Sequence, residues 1–366
     1  MTTFAVVTGG GTAGHVLPAL AVAEALVDRG HDPSTIRYVG ARRGIETQLL
    51  PSTPFGADFL DVVGLQRRLT LRNLWFVPKQ LLARRSAIAL LRRLRPAVVV
   101  SVGGYASVPS VLAAHRLGIP VVVVSYDLLP GRASRLAARR AAACAVAFPD
   151  SPLPRAVHTG APVRRTILAV DRTVDRGPAR RALGVDDDRF LIAVVGGSQG
   201  SGVLNDSVRR FVEGRSDDAG LAVRHVLGER FLDTAAPARS GADGGVVYQP
   251  VGYEDRMDLV YAAADLVVGR GGASTVHEVA AVGVPSILVP WAASAEDHQT
   301  LNVRWLSDDG GAVLLAESEI GGLGEVIDGL RRHPEELARI ATAAARKGAV
   351  HRSGALAGLV ESIAIA

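Results

Sequence analysis

The chain has 366 residues, of which 48% are hydrophobic and 5% aromatic, with 40 glycines and a formal net charge of +5. This length favours two domains over a single core, and the composition is typical of α/β enzymes and excludes disordered and fibrous chains. The single cysteine, Cys144, excludes a disulfide framework and predicts a reducing compartment. Since no run reaches the roughly 20 apolar residues that span a bilayer, any membrane contact is expected to be peripheral.

Short apolar runs alternate with amphipathic helical stretches along the first half of the chain. The predicted strands are FAVVTGG, IRYVG, FLDVV, AVVVSVGG, PVVVVSY and ACAVAF, and helices are predicted at 15–29, 71–94, 106–116 and 132–142. Because apolar strands that alternate with helices form parallel sheets covered on both faces, this half is predicted to be a doubly wound α/β domain.

The same pattern restarts in the second half. The predicted strands LIAVVGG, AVRHVLG, GVVYQPV, DLVVGRGG, SILVPW and GAVLL are separated by helical segments such as 256–263, 275–282 and 298–307. A charged stretch after Val163 marks the connection, which we place near 163–166. The sequence therefore predicts two Rossmann-like domains that face a cleft.

A glycine-rich segment, GGGTAGH at 9–15, joins the first strand to the first helix. It matches GxGxxG, but the second strand is followed by Ala41-Arg42-Arg43 and not by an acidic residue, which disfavours NAD and leaves NADP open. A phosphate or diphosphate at the helix N-terminus fits the segment. His15 is then either a proton shuttle or hydrogen-bond donor to an anion, or an ordinary histidine at a helix start.

Two further strand–helix junctions carry glycines, at 101–109 (SVGGYASVP) and at 196–202 (GGSQGSG). Each of them alone is compatible with a tight turn. Since ligands gather at the carboxyl ends of the strands in doubly wound sheets, we expect all three loops to point into the cleft.

The densest cluster of candidate residues is GRGGASTVHE at 269–278, followed by DHQTLN at 297–302. Glu278, one turn inside a helix, can accept both hydroxyls of a ribose. Gln299 and Asn302 are three residues apart, hence on one helical face, where they can bind the hydroxyls of a sugar. The alternatives are a solvated carboxylate for Glu278 and an ordinary N-cap for Asp297.

Taken together, these motifs resemble the MurG family nearly end to end. GGGTAGHVLPALAVAEAL, GGYAS-x-P, GAPVR, GGSQGS-x-x-LN, RGGAS-x-x-HE and DHQTLN stand in the order and spacing of that family. Its members have the GT-B fold and transfer N-acetylglucosamine from UDP-N-acetylglucosamine to undecaprenyl-pyrophosphoryl-N-acetylmuramyl-pentapeptide. The resemblance implies an inverting, metal-independent hexosyltransferase that needs no cofactor. It also implies an acceptor domain at 1–163 with a C-terminal helix at 348–366, and a UDP-sugar donor domain at 164–347.

The resemblance assigns roles to individual residues, with His15 close to the reacting centre. The predicted donor-binding residues are Arg164, Ser198, Gln199, Glu254, Met257, Ala273, Ser274, Glu278, Gln299 and Asn302. The predicted acceptor-binding residues are Thr12, Ala13, Gly14, Gly103, Gly104, Tyr105 and Ser107. No metal ligand is predicted, and the acidic run at 186–188 is interpreted as a solvated loop.

One segment departs from the family. Where members usually have His-Glu-x-Asn after the fifth strand, this chain has Ser125-Tyr126-Asp127. Asp127, the only carboxylate there, either replaces the missing catalytic base or caps the following helix at 131–140. The alternative function is therefore a MurG-like paralogue that glycosylates another prenyl-phosphate or specialised-metabolite acceptor. A nucleotide-dependent oxidoreductase or an epimerase fits the motifs less well.

Apolar and basic residues interleave at 65–79 (LQRRLTLRNLWFVPK), ahead of a helix that ends in LLRRLRP. The pattern is typical of a surface that docks on anionic lipid, and also of a packing helix with solvated arginines. With the resemblance, it predicts a cytoplasmic protein bound peripherally to the inner face of the cell membrane, where a lipid-linked acceptor lies. The few aromatic and dispersed basic residues argue against nucleic acid as a partner.

Overall fold

The computed structural model of the chain describes residues 2–62, 76–197 and 199–365. They divide into two compact units, one that runs to Arg165 and resumes at Ser353, and one that spans Thr166–Arg352. Arg165 belongs with the first unit because its backbone N–H donates to the carboxylate of Glu24 at 2.8 Å and its guanidinium donates to the carbonyl of the same residue at 3.0 Å. The first boundary between the two units therefore follows Arg165, two residues after the predicted domain end at 163.

The first unit is built on a seven-stranded parallel sheet. Its strands are β1 (Ala5–Thr8), β2 (Ile36–Ala41), β3 (Gly56–Leu60), β4 (Val98–Ser101), β5 (Val121–Ser125), β6 (Ala143–Val146) and β7 (Ala156–His158). Its helices in this part of the chain are α1 (Ala13–Asp28), α2 (Glu46–Leu49), α3 (Phe76–Leu94), α4 (Val108–Leu117) and α5 (Arg132–Ala138). The strands lie in the order β3-β2-β1-β4-β5-β6-β7, and every neighbouring pair is parallel.

Sequence patterns explain these elements. β1, β4 and β5 are wholly buried and apolar but for their last residues, as the central strands of a parallel sheet require. In α3 the buried residues Ala83, Ala87 and Leu91 recur every four positions and form one apolar stripe. α3 is the helix predicted at 71–94, and the first five residues of that prediction lie outside the described part. Cys144 is a buried residue of β6.

The second unit carries a seven-stranded sheet of its own. Its strands are β8 (Phe190–Val195), β9 (Leu221–Val226), β10 (Arg239–Ser240), β11 (Val247–Val251), β12 (Leu266–Arg270), β13 (Ser286–Val289) and β14 (Val313–Leu314). The first of its helices begins at the last residue of the first unit. The helices are α6 (Arg165–Leu168), α7 (Arg172–Leu183), α8 (Gly202–Glu213), α9 (Met257–Ala263), α10 (Ala273–Val282), α11 (His298–Ser307), α12 (Leu323–Arg332) and α13 (Pro334–Gly348). The order is β10-β11-β9-β8-β12-β13-β14, and only the pair β10 and β11 is antiparallel.

The chain then returns to the first unit as α14 (Ala355–Ile365), which packs against α1 and β4. Glu361 in this helix accepts two hydrogen bonds from the guanidinium of Arg29, at 3.1 and 2.7 Å. The C-terminal helix predicted at 348–366 is therefore too long at its start. Its first five residues belong to the second unit, where Arg352 donates to the carbonyl of Ala281 at 2.7 Å.

The parallel strands of the two units share one topology. Numbered within each unit, the first six lie in the order 3-2-1-4-5-6, and β7 extends the first sheet as a seventh parallel strand. The order reverses between β1 and β4 in the first unit and between β8 and β12 in the second. This reversal is the switch point at which doubly wound sheets bind ligands. The predicted fold class, α/β with two Rossmann-like domains, is confirmed. None of the helices in the described ranges is long and apolar enough to cross a membrane.

A buried polar cluster lies in the second sheet beside α8. His225 in β9 is completely buried, with Nδ1 3.0 Å from the hydroxyl of Tyr248 and Nε2 3.1 Å from the side-chain oxygen of Asn205. Burial lowers the pKa of His225 from its ordinary 6.5 to about 4. The folded state therefore holds this imidazole neutral at pH values where the unfolded chain protonates it.

Because of this difference in protonation, the free energy of unfolding depends on pH. The stabilisation from neutral His225 is complete above about pH 6.5 and is lost as the pH falls towards 4. Between about pH 7 and pH 5 the free energy of unfolding should fall by about 2 kcal/mol more in the wild type than in His225→Gln. Urea unfolding at several pH values measures this, with the exposed His333→Gln as the control that keeps the wild-type dependence.

Candidate functional site

Two glycine-rich loops lie at the switch point of each unit. In chain order they are 9–12 after β1, 102–107 after β4, 196–201 after β8 and 271–272 after β12. Since the strands are parallel, each pair of loops emerges from the same edge of its sheet. In the first unit the two loops are in backbone contact, because a Cβ on Gly104, whose φ is 78°, would overlap the carbonyl oxygen of Gly10. Only glycine fits this approach.

Glu46 holds the first of these loops from inside the protein. It is completely buried, and its carboxylate accepts hydrogen bonds from the backbone N–H of Ala41 at 2.7 Å and of Gly11 at 3.3 Å. Glu46 was not among the predicted site residues, because the acidic residue of a dinucleotide site is expected directly after β2, at 41–43. A carboxylate that is buried and bound to the backbone positions the loop and cannot reach a ribose.

His15, in the first turn of α1, lies where the two loops of the first unit meet. Its Nδ1 is 3.2 Å from the hydroxyl of Thr12, and a Cβ on Gly103 would lie 3.4 Å from the ring. The ring of Tyr126 lies edge-on to the imidazole, with 6.5 Å between the ring centres, and its hydroxyl donates to the carbonyl of Gly14. The structure therefore brings together the loops after β1, β4 and β5.

The electrostatics around His15 suit a proton acceptor. Burial lowers the pKa of His15 below 6.5, and the negative charges of Asp127 and Glu46 oppose that shift. The imidazole is therefore neutral at neutral pH and can take up a proton. Asp127 does not occupy the N-cap position of α5, which begins at Arg132 with Gly131 as its N-cap.

The other predicted acceptor residues fall into two groups. Thr12 and Gly14 are exposed, Tyr105 is half-buried, and Ala13 is buried. Ser107 is also buried, and its hydroxyl donates to the carbonyl of Gly104 at 2.9 Å. Ser107 therefore closes the loop after β4, and the accessible groups are those of Thr12, Gly14 and, in part, Tyr105.

The loop after β8 opens the candidate donor site in the second unit. A Cβ on Gly200, whose φ is 64°, would overlap the carbonyl oxygen of Leu227, so this loop also needs glycine. The hydroxyl of Ser201 accepts a hydrogen bond from a backbone N–H in the first turn of α8 at 3.3 Å. Gln199 is exposed, and the predicted donor-binding Ser198 lies outside the described residues.

Arg270, at the end of β12, connects the loops of this edge. Its guanidinium donates to the hydroxyl of Ser201 at 2.5 and 3.0 Å and to the carbonyl of Val289 at 3.2 Å. It also pairs with Glu317 at 3.3 Å, whose other oxygen accepts from the backbone N–H of Ala292 at 2.7 Å. Sequence analysis did not single out Arg270, although an arginine in an otherwise apolar strand end, VVGRGG, was the available signal.

Glu278 lies in the second turn of α10 and is half-buried. The hydroxyl of Tyr261, which is buried in α9, donates to its carboxylate at 2.9 Å. Ala273 and Ser274 form the first turn of the same helix, and its N-cap, Gly272, makes no side-chain hydrogen bond. α10 thus presents backbone N–H groups and a carboxylate one and a half turns apart, an arrangement suited to a phosphate and a sugar hydroxyl.

Glu254 and Met257 lie at the turn before α9. The carboxylate of Glu254 pairs with Arg224 at 2.7 Å and accepts from the backbone N–H of Arg256 at 3.0 Å. It therefore shapes the turn, whereas Met257 begins α9 half-buried and the neighbouring Tyr253 is exposed.

The two predicted sugar-binding residues are in different environments in α11. The side-chain oxygen of Gln299, which is half-buried, accepts from the backbone N–H of Trp291 at 2.9 Å. Asn302 is completely buried, so its predicted contact with a sugar is not available in this structure. Asp297 makes no side-chain cap and instead accepts from the hydroxyl of Thr300 at 2.6 Å. Asp297 therefore occupies the N-cap position of α11, as the alternative has it, but without a capping hydrogen bond.

Arg164 is placed by the structure in the first unit, not in the predicted domain 164–347. Its guanidinium donates to Glu24 in α1 at 3.3 Å. Within the described ranges, no group of three or more His, Cys, Asp and Glu side chains is arranged to hold a metal ion.

Comparisons with known proteins agree with this arrangement. The glycosyltransferase family 28 N-terminal domain matches residues 5–146, from the first residue of β1 to the last of β6, and the family 28 C-terminal domain matches residues 191–353. The crystal structure of Acinetobacter baumannii MurG superposes with a TM-score of 0.72 and 26% identity over 99% of both chains. The chain belongs to the MurG family.

Two curated relatives of this MurG-family chain carry the name UDP-N-acetylglucosamine--N-acetylmuramyl-(pentapeptide) pyrophosphoryl-undecaprenol N-acetylglucosamine transferase. The relative from Nocardioides sp. is 41% identical over 85% of this chain and 84% of its own length. The relative from Desulforudis audaxviator is 36% identical over 98% of each chain. The match therefore includes both sheets and all four glycine-rich loops.

The pairing of Arg270 with Glu317 predicts a measurable coupling in this MurG-family chain. Arg270→Met should lower the free energy of unfolding by roughly 3 kcal/mol, because it leaves the largely buried carboxylate of Glu317 without its cation. The double variant Arg270→Met/Glu317→Gln should be less destabilised than the two single effects added together. Denaturant unfolding of the four proteins gives the coupling, and strict additivity would contradict it.

Proposed function

We propose that this chain transfers N-acetylglucosamine from UDP-N-acetylglucosamine to an N-acetylmuramyl pentapeptide linked through pyrophosphate to undecaprenol, with inversion at the anomeric carbon. The observation that carries the proposal is the identity of 36–41% with transferases of that name over most of both chains. The two switch points support it, since each presents glycine-rich loops suited to a phosphate group.

The donor is proposed to bind at the loops of the second unit. Glu278 accepts hydrogen bonds from the ribose hydroxyls, and the first-turn amides of α10, at Ala273 and Ser274, bind the diphosphate. Gln199 lies beside the same phosphates and Gln299 is the remaining candidate for the sugar. Met257 and the turn held by Glu254 are proposed to contact the uracil. The donor-phosphate role of Arg164 stays a prediction from the resemblance.

The acceptor is proposed to bind at the loops of the first unit. Thr12, Gly14 and the glycines after β4 surround its pyrophosphate, and a base removes the proton of the attacking hydroxyl while UDP leaves. Neutral His15 is suited to that step, and Asp127 stabilises the imidazolium that forms. Amides and helix N-termini stabilise the charge on the departing UDP, so the proposed reaction needs neither a metal ion nor a cofactor.

The function is tested first by calorimetric titration with UDP-N-acetylglucosamine, UDP-glucose and a TDP-sugar, followed by turnover of a short-chain lipid-linked acceptor. Selective binding of UDP-N-acetylglucosamine with turnover supports the whole proposal. Selective binding without turnover favours a different prenyl-phosphate or specialised-metabolite acceptor, in keeping with the unusual Ser125-Tyr126-Asp127 segment. Absence of nucleotide-sugar binding contradicts the proposal.

The role of Glu278 is tested by affinity for UDP. Glu278→Ala should weaken UDP binding by about one to two orders of magnitude, because hydrogen bonds from ribose hydroxyls to a charged carboxylate are lost. Tyr261→Phe, which removes only the hydroxyl behind the carboxylate, should have a smaller effect. Equal affinity in wild type and Glu278→Ala would remove this residue from the donor site.

The roles of His15 and Asp127 are separated by the pH dependence of kcat/KM. If His15 is the base, activity should fall on the acid side below pH 6.5, and Asp127→Asn should move that fall to lower pH, because the charge of Asp127 raises the pKa of His15. His15→Gln should then cost about two to four orders of magnitude in turnover. A loss of that size in Asp127→Asn, with an unmoved pH profile, would make Asp127 the base.

Peripheral binding to the cytoplasmic face of the membrane is part of the proposal. Leu81 and Leu82 at the start of α3 are 54% and 60% exposed, and the exposed Arg85 follows one turn later. Exposed leucines beside a cation suit a surface that inserts apolar side chains among anionic lipids. Most of the basic and apolar stretch predicted at 65–79 lies outside the described residues.

This surface is tested by flotation with vesicles that contain an anionic lipid. Leu81→Ser/Leu82→Ser should reduce the bound fraction several-fold, since two exposed apolar side chains no longer enter the lipid. Leu232→Ser, which removes an exposed leucine of the second unit, is the control and should bind as the wild type does. Equal binding by all three proteins would exclude α3 from the membrane contact.

A further inference from the structure

A cavity of about 360 Å³ opens in the second unit at the sheet edge opposite to the glycine-rich loops. Phe190, Asp265 and Pro285, which stand at the amino ends of β8, β12 and β13, form its base. The carboxyl ends of the same strands carry the candidate donor site. The cavity is therefore distinct from the site to which the function was assigned.

The walls of this cavity differ in character. On one side α13 presents Pro334, Leu337, Ala338 and Ala341, which with Phe190 make an apolar surface. The other lining groups are charged: Arg172, Arg176, Arg189, Arg331, Asp187 and Asp188. Such a combination suits a ligand with an apolar body and one polar end.

The inner charges of the cavity do not balance. The carboxylate of Asp265 receives Arg176 at 2.9 Å and the completely buried Arg180 at 2.5 Å. Arg172 is the third guanidinium whose charge interacts with this one carboxylate. The carboxylates of Asp187 and Asp188 lie at the solvent-exposed rim, where water screens them, although Asp187 still interacts with Arg180. The groups nearest Asp265 therefore carry excess positive charge.

The protein satisfies only some of the hydrogen-bond donors of Arg172, which lies in this group. Its two terminal nitrogens donate to the carbonyls of Gly283 at 3.2 Å and Ala264 at 2.5 Å, whereas its Nε is buried and has no hydrogen-bond partner among the described residues. Burial lowers the pKa of Arg172, and Asp265 offsets this only in part. Each terminal nitrogen carries a second N–H, and a guanidinium that lines a cavity can donate such groups to an oxyanion.

We propose that this cavity is a second ligand site, which binds a small organic oxyanion: a phosphate or carboxylate group on a compact apolar body. The oxyanion lies against Arg172 and Arg176, and the apolar body packs on Phe190 and α13.

The probes are phenyl phosphate, benzoate and benzyl alcohol, each titrated calorimetrically into the full chain with saturating UDP present. Phenyl phosphate, benzoate or both should bind at millimolar concentration or below, and benzyl alcohol, which lacks the oxyanion, should not. Tighter binding of one acid identifies the oxyanion as phosphate or carboxylate.

Three variants locate the binding. Arg176→Gln removes a cation and Ala338→Phe fills the apolar side, and each should weaken the bound acid by about tenfold or more. Arg209→Gln, a surface arginine on α8 outside the cavity, should bind within twofold of the wild type. Thermal unfolding of each variant checks that it is folded. The proposal would be overturned if neither acid binds or if benzyl alcohol binds as well as the acids do. It would also be overturned if Arg176→Gln and Ala338→Phe both bind the acid with the affinity of the wild type.

Discussion

Both candidate sites depend on the close approach of backbone segments at the switch points of the sheets. At these points two strands that are neighbours in the sheet send their helices to opposite faces, so the loops that follow them share one edge. The contacts at Gly104 and Gly200 leave no room for a side chain. Their glycines therefore allow the backbone itself, with its N–H groups, to form the surface that meets a phosphate.

Buried charges hold these loops in place. In the first unit Glu46 accepts hydrogen bonds from two backbone segments, and in the second Arg270 joins the loop of Ser201 to the loop after β13 through Glu317. Burying a charge is unfavourable unless its hydrogen bonds are satisfied, so each group keeps its geometry only while all its partners are present. Rigidity at the carboxyl edge of each sheet follows from this mutual dependence.

Other residues of the two candidate sites are exposed, in contrast to these buried charges. Thr12, Gly14 and Gln199 are accessible to a ligand, and none of them is fixed by a buried charge. His15 lies between these classes, because it is buried enough to stay neutral and still contacts the loops that would receive the acceptor. Tyr126, in the segment that departs from the family, bonds to the backbone next to His15, so this departure alters the surroundings of the candidate base.

The sequence alone determined the fold class, the alternation of strands and helices, and the four loops, because periodicity, apolar runs and glycine spacing are local properties. It also carried the family motifs, which led to Glu278 and His15. Only the tertiary structure decided which polar residues face a ligand. Glu46, Arg270 and Asn302 are polar residues near the motifs, and each is buried. Glu46 bonds to Gly11, and Arg270 bonds to Ser201 and Glu317, all of them far away along the chain. Burial depends on such distant contacts and on the register of neighbouring strands, and neither can be read from one sequence.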